Sequence, residues 1–156
     1  MKFEHLIEIN SPGNPLIPAL TRNQLWQGLM IRAEDATFFL PGLDTCTVIE
    51  RHGRKLQRCL DFGTATIHDT VTWMELEWVC FDVAATESHA GGRLTISIEE
   101  PEADHLFLRF AYATTLGENP GDENAGYADF VKSAYHESDI ETVRVIRMLL
   151  AEAQSH

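Results

Sequence analysis

The sequence predicts an α+β fold in which a curved antiparallel sheet closes on a long C-terminal helix. Three observations predict it. Between residues 44 and 116, β-rich runs alternate apolar and polar positions and are separated by tight turn signals. The stretch 123–153 has no proline, and its only glycine is Gly126 near the start, so it reads as one continuous helix. Earlier, Thr21-x-x-Gln24 has the form of a capping box and opens a shorter helix. The 156 residues are read as one domain, 1–156, long enough to bury roughly two-thirds of the unfolded surface.

The elements follow in chain order. Phe3–Asn10 (FEHLIEIN) alternates loosely and forms a first strand. Pro12, Pro15 and Pro18 exclude both helix interior and central strand from the next stretch. Leu20 and Leu25 flank the capping box as a hydrophobic staple, and Leu25, Trp26, Leu29 and Met30 recur at helical spacing. This helix runs from Thr21 to about Glu34, and Phe38–Gly42 ends the region in an apolar turn. Six strands are expected near 44–51, 55–62, 65–73, 78–85, 93–100 and 105–115. They are punctuated by His52-Gly53, Gly63-Thr64, Met74–Glu77, His89–Gly92 and Pro101–Asp104. Connections this short demand antiparallel neighbours. Asn119–Asp122 breaks the pattern before the last helix. That helix must cover the one apolar sheet face, while the convex face stays wet.

Parity along the strands assigns the faces. Leu56, Leu60 and Phe62 share a face with Arg58, and Ile67, Val71 and Trp73 share theirs with Asp69. Val79, Phe81 and Val83 follow, then Leu94, Ile96 and Ile98, then Leu106, Leu108, Phe110 and Tyr112. If Gly63-Thr64 is a two-residue turn, Arg58 sits directly opposite Asp69. Either the sheet edge twists and both heads reach water, or the two form an ion pair inside the concavity that fixes a ligand's polar end.

On the terminal helix, the stripe centred on Ile146 contains Ala128, Val131, Tyr135, Asp139, Thr142, Val143, Leu149, Leu150 and Ala153. A carboxylate within that stripe has two readings. Ser138-x-x-Glu141 resembles a capping box, so Asp139 marks a local N-cap or kink, or else it is a polar lining opposite Arg58 and Asp69. Tyr112 and Tyr135 offer hydroxyls either to a ligand or to backbone groups.

Composition narrows the function. With 12 Lys+Arg against 24 Asp+Glu the net charge is −12, which argues against nucleic acid or anionic membrane as the main partner. The 44% hydrophobic content suits a folded globule. No apolar run approaches the roughly 20 residues that span a bilayer. Glu4 and Glu8 stand where a signal peptide would be basic and then apolar, so a cytoplasmic protein is expected. Three cysteines (46, 59 and 80) suit free thiols, and seven scattered histidines offer no metal-ligand spacing. No metal and no cofactor is expected. Nucleophile-elbow, phosphate-loop and dinucleotide motifs are absent.

With that order of elements the chain resembles the SRPBCC superfamily, the helix-grip proteins that include START lipid-transfer domains and birch-pollen-type allergens. More narrowly, Leu16–Leu25 (LIPALTRNQL) with Trp26, Ala33-Glu34-Asp35, Phe39–Gly42 and Ser133–Asp139 resemble its AtaL-like branch. The resemblance implies a curved seven-stranded sheet gripping the C-terminal helix, with a cavity between them. Such cavities carry lipids, hormones or polyketides, and some members cyclise their cargo. No catalytic residue set carries over.

The leading expectation is a binding protein for a small hydrophobic or amphipathic molecule. Arg58, Asp69 and Asp139 would orient its polar end, with Trp73, Phe81, Tyr112 and Tyr135 completing the site. The alternatives are a metal-free cyclase or dehydratase acting on a polyketide-like substrate, or a non-catalytic interaction protein. In the enzyme, Asp69 or Asp139 would be general acid/base, and Tyr112 or Tyr135 would stabilise an enolate-like oxygen. Oligomeric state is left open, a homodimer included.

Overall fold

Short turns lay the strands side by side in chain order. The computed structural model describes residues 1–87, 91–114 and 125–154. Its strands are β1 (Lys2–Glu8), β2 (Thr45–His52), β3 (Lys55–Asp61), β4 (Thr66–Met74), β5 (Trp78–Val83), β6 (Gly92–Glu102) and β7 (His105–Thr114). Helix α1 spans Arg22–Glu34 and α2 spans Ala125–Gln154. The strands form one antiparallel seven-stranded sheet ordered β1-β7-β6-β5-β4-β3-β2, so the expected helix-grip architecture holds. The first strand closes the far edge by pairing with the last. The turn at His89 and the break at Asn119–Asp122 lie outside the described residues, as do the side chains of Ala128 and Ala153.

The connection after β3 sets the register that matters most. Phe62 N donates to Ala65 O at 2.9 Å, and Gly63 takes φ of +86°, a left-handed value that only glycine adopts without strain. The pairing that follows is Leu60 with Ile67 and Arg58 with Asp69.

Helix α1 begins as its sequence dictates. Gln24 N donates to Thr21 Oγ1 at 3.0 Å, and Thr21 N donates to Gln24 Oε1 at 2.8 Å. Leu20 and Leu25 are both buried. The proline-rich approach is tied down by Asn10, whose amide donates to Leu20 O at 2.6 Å and accepts from Leu20 N at 2.9 Å. From α2, Arg147 donates to Pro18 O at 2.9 Å and to Ile9 O at 2.5 Å.

Helix α2 runs unbroken through Asp139, which removes the reading of that residue as a cap or kink. Val131, Asp139, Thr142, Val143, Ile146 and Leu150 are buried as the periodicity requires. Val145 is buried as well, because α1 packs on α2 beside the sheet and widens the covered sector. The helices cross at Gly28, where an added Cβ would lie 2.6 Å from Ile146 Cγ2. Ile146 has no exposed surface and cannot yield. Gly28→Ala should therefore lower stability in urea unfolding. Overpacking costs about 1–3 kcal/mol, against about 1 kcal/mol of helix propensity gained.

Candidate functional site

Three polar groups are buried where the sheet, α1 and α2 meet. The first is the cross-strand pair. Arg58 Nε donates to Asp69 Oδ1 at 2.8 Å and Nη2 to Oδ2 at 2.5 Å. With 1% and 7% of their surfaces exposed, the two heads do not reach water. Arg58 Nη1 donates to the carbonyls of Arg32 at 3.0 Å and Ala33 at 2.9 Å. Those carbonyls end α1, where helix geometry leaves acceptors without intrahelical donors and the dipole favours a cation. All three guanidinium nitrogens of Arg58 are engaged, so the pair clamps the sheet to α1.

The second group centres on Asp139, 1% exposed. Its Oδ1 accepts from the Tyr112 hydroxyl, and its Oδ2 lies 2.8 Å from His5 Nδ1. Asp139 thus does not face Arg58 and Asp69, as the helix periodicity alone suggested. Because β1 docks beside β7, its inward residue His5 arrives next to Tyr112 and takes the carboxylate. Phe3 stacks on Tyr112 at 5.0 Å between centroids, and Tyr135 lies 4.5 Å from Tyr112. Burial raises the Asp139 carboxyl above its ordinary range, against the pull of its bonds from Tyr112 and His5. Burial, reinforced by Asp139, likewise raises the Tyr112 hydroxyl.

The third group is Arg32, near the C-terminus of α1 and 6% exposed. Its guanidinium carbon lies 4.5 Å from the centroid of Phe81, and that of Arg58 lies 5.2 Å from the same ring. Burial pulls the Arg32 guanidinium down to about 10, which leaves it charged at neutral pH. Its Nε is sealed from solvent without an acceptor.

Of these groups, Arg32 and Tyr112 line a hollow of about 290 Å³ between the sheet and α2. Its walls are Leu40, Ile67, Phe81, Leu94, Tyr112 and Tyr135, with Arg32 and Ser138 as polar elements and the ends of β6 and β7 at the rim, where Thr114 and Arg93, paired with Asp82, also line it. Of the residues expected at the site, Phe81, Tyr112 and Tyr135 line this space. Asp139 holds the Tyr112 hydroxyl from outside the lining, and Arg58 with Asp69 also stands outside it. Trp73 packs half-buried against the core and does not line it.

A larger depression of about 900 Å³ lies mainly on the opposite sheet face, among His68, Thr70, Thr72, Cys80, Thr95 and Ser97, and Arg58 and Asp69 also border it. It is an open strand surface, mostly of outward parity, and helix α2 does not close it as it closes the inner hollow. Among the described residues, no three His, Cys, Asp or Glu side chains converge as a metal site requires.

Sequence reasoning missed Arg32 and His5. Arg32 lies seven residues after Leu25 and so falls on the buried stripe of α1. An arginine in a last turn is ordinarily explained by the helix dipole, which hides that signal. His5 shares parity with Phe3 and Ile7, but its neighbours depend on which strand β1 joins.

A sequence model of the family described as AtaL, Acetylaranotin biosynthesis cluster protein L, matches residues 7–153. The chain belongs to the AtaL family. No curated protein matches it. This AtaL-family chain is similar in structure to the di-domain ARO/CYC StfQ from the steffimycin biosynthetic pathway, with TM-score 0.71 and 11% identity over 99% of the chain. The match covers 52% of StfQ, so the chain spans about half of that protein's length. It is similar to the Zhui aromatase/cyclase from Streptomyces sp. R1128, with TM-score 0.63 and 14% identity over 99% of this chain and 93% of that one. It is equally similar to Ara h 8.0201, with TM-score 0.63 and 11% identity over 97% and 98% of the two chains. At these identities the likeness establishes the helix-grip fold of the AtaL-family chain and nothing finer. No helix among the described residues is long and apolar enough to cross a membrane.

Proposed function

We propose that this AtaL-family protein binds a small, largely apolar molecule in the hollow between its sheet and α2. One observation carries the reading. Side chains from α1, the segment after it, four strands and α2 converge on a space of about 290 Å³, and few of them are polar. Phe81, Tyr112 and Tyr135 are walls. Tyr112 donates its proton to Asp139, which leaves its oxygen free to accept a bond from the guest. Arg58 and Asp69 serve the site indirectly, by holding the end of α1 that carries Arg32.

The test is to fill the space. Leu94 is half-buried in the wall, and Leu94→Trp should occupy the hollow. The fluorescent probe phenylnaphthylamine should bind the wild-type protein and lose about tenfold or more in affinity in this variant, with the circular dichroism spectrum unchanged. Equal binding by both proteins would remove the hollow as the site.

A second reading, a cyclase or dehydratase, is favoured by the Asp139–Tyr112–His5 contacts. A carboxyl raised by burial and bonded to a phenol can pass a proton to or from a guest in the adjoining hollow. The similarity to aromatase/cyclases supports it only at the level of fold. Turnover of an aromatic polyketide mimic, reduced at least about 100-fold by Asp139→Asn, would establish it, since a positioned acid/base contributes about that much or more. Turnover unchanged in that variant would dismiss it.

A further inference from the structure

Arg32 is a buried cation that has no direct hydrogen-bond or ion-pair partner among the described residues. The carboxylates that act on it through space are Asp139 and Asp69. Both oxygens of Asp69 are taken by Arg58, and those of Asp139 by Tyr112 and His5. Among the described residues the Arg32 guanidinium makes no hydrogen bond and no ion pair, and its Nε is fully enclosed. The nearby Arg58 guanidinium adds repulsion. Contact with the Phe81 ring returns less than taking the ion out of water costs. An enclosed water could satisfy a hydrogen bond but could not neutralise the charge. Asp139 and Asp69 thus balance the charge only through space, and among the described residues the structure keeps a guanidinium with no direct partner in the wall of a largely apolar hollow.

We infer that Arg32 is the counter-ion for the guest's oxyanion, and that the hollow takes an amphipathic organic acid. Its ring-bearing body would rest among Leu94, Tyr112 and Phe81, and its acid group would face the guanidinium. A planar guanidinium pairs with a carboxylate or sulfonate through parallel N–H donors, which an uncharged group of the same shape cannot match. The inference rests on the reading of the hollow as a binding site and adds the charge of what enters it.

Two probes with one ring system decide it: anilinonaphthalene sulfonate and its uncharged counterpart phenylnaphthylamine, titrated against the wild-type protein, Arg32→Met and Arg32→Lys. The wild type should prefer the sulfonate. Arg32→Met should weaken sulfonate binding by about tenfold or more and leave phenylnaphthylamine within about twofold, while Arg32→Lys restores part of the preference. Sulfonate binding as tight in Arg32→Met as in the wild type overturns the counter-ion. Equal weakening of both probes also overturns it, by reducing Arg32 to a packing residue. If neither probe binds the wild type, the binding reading itself falls and takes the inference with it. Uptake of phenylnaphthylamine alone by the wild type rejects only the acid.

Discussion

Arg58→Met is expected to destabilise the protein by about 3–5 kcal/mol in urea unfolding, the cost of breaking a buried pair at one end. The substitution keeps the aliphatic stem but strands the Asp69 carboxylate, and it removes the donor shared by the Arg32 and Ala33 carbonyls. Arg58→Met combined with Asp69→Leu should recover part of that loss, since no unpaired charge remains. It should not recover all of it, because two helix-terminal acceptors still lack a donor, at about 1–3 kcal/mol each if they stay buried. A loss below about 1 kcal/mol in the single variant would show that the clamp is not needed to hold α1 on the sheet. A double variant no better than the single one would show that the carbonyl contacts, and not the ion pair, carry the effect.

Arg32→Met is expected to act in the opposite direction and stabilise the ligand-free protein by about 1–3 kcal/mol. Removing a buried guanidinium without a direct partner among the described residues gains several kcal/mol, and losing its contact with Phe81 and its attraction to Asp139 and Asp69 returns about 2 or more of them. Methionine retains most of the buried stem, so the packing around α1 is kept. The measurement is again urea unfolding, on protein stripped of small molecules. A loss of stability would mean that the guanidinium is compensated within the fold. A gain in stability with a loss of acid binding would be the pattern of a residue kept for its ligand at the expense of stability.

Both predictions concern arginines, and the two were not equally legible. Arg58 could be placed from the chain alone because a two-residue connection leaves one pairing open. Counting back from Gly63-Thr64 puts it opposite Asp69, and that is where it lies. What it does there could not be read. The carbonyls it binds belong to α1, more than twenty residues earlier in the chain, and strand periodicity carries no information about which helix end rests on which strand. Asp139 is similar. Helical periodicity correctly turned it inward, but not toward Arg58. A helix wheel gives an angle about the helix axis, whereas the partner depends on where along the sheet that angle points. His5 fills that place because β1 pairs with β7, a contact more than 100 residues apart in the chain.

The sequence by itself determined the order and kind of the elements, the face each strand turns inward and the position of the Arg58–Asp69 rung. All of these follow from interactions between residues near one another along the chain: alternation, capping and turn closure. Only the tertiary structure decided that a hollow survives between sheet and helix, and that Arg32 stands at its wall with no direct partner among the described residues. Both depend on how far apart packed layers come to rest and on which groups have already found partners, and those quantities exist only once distant segments meet.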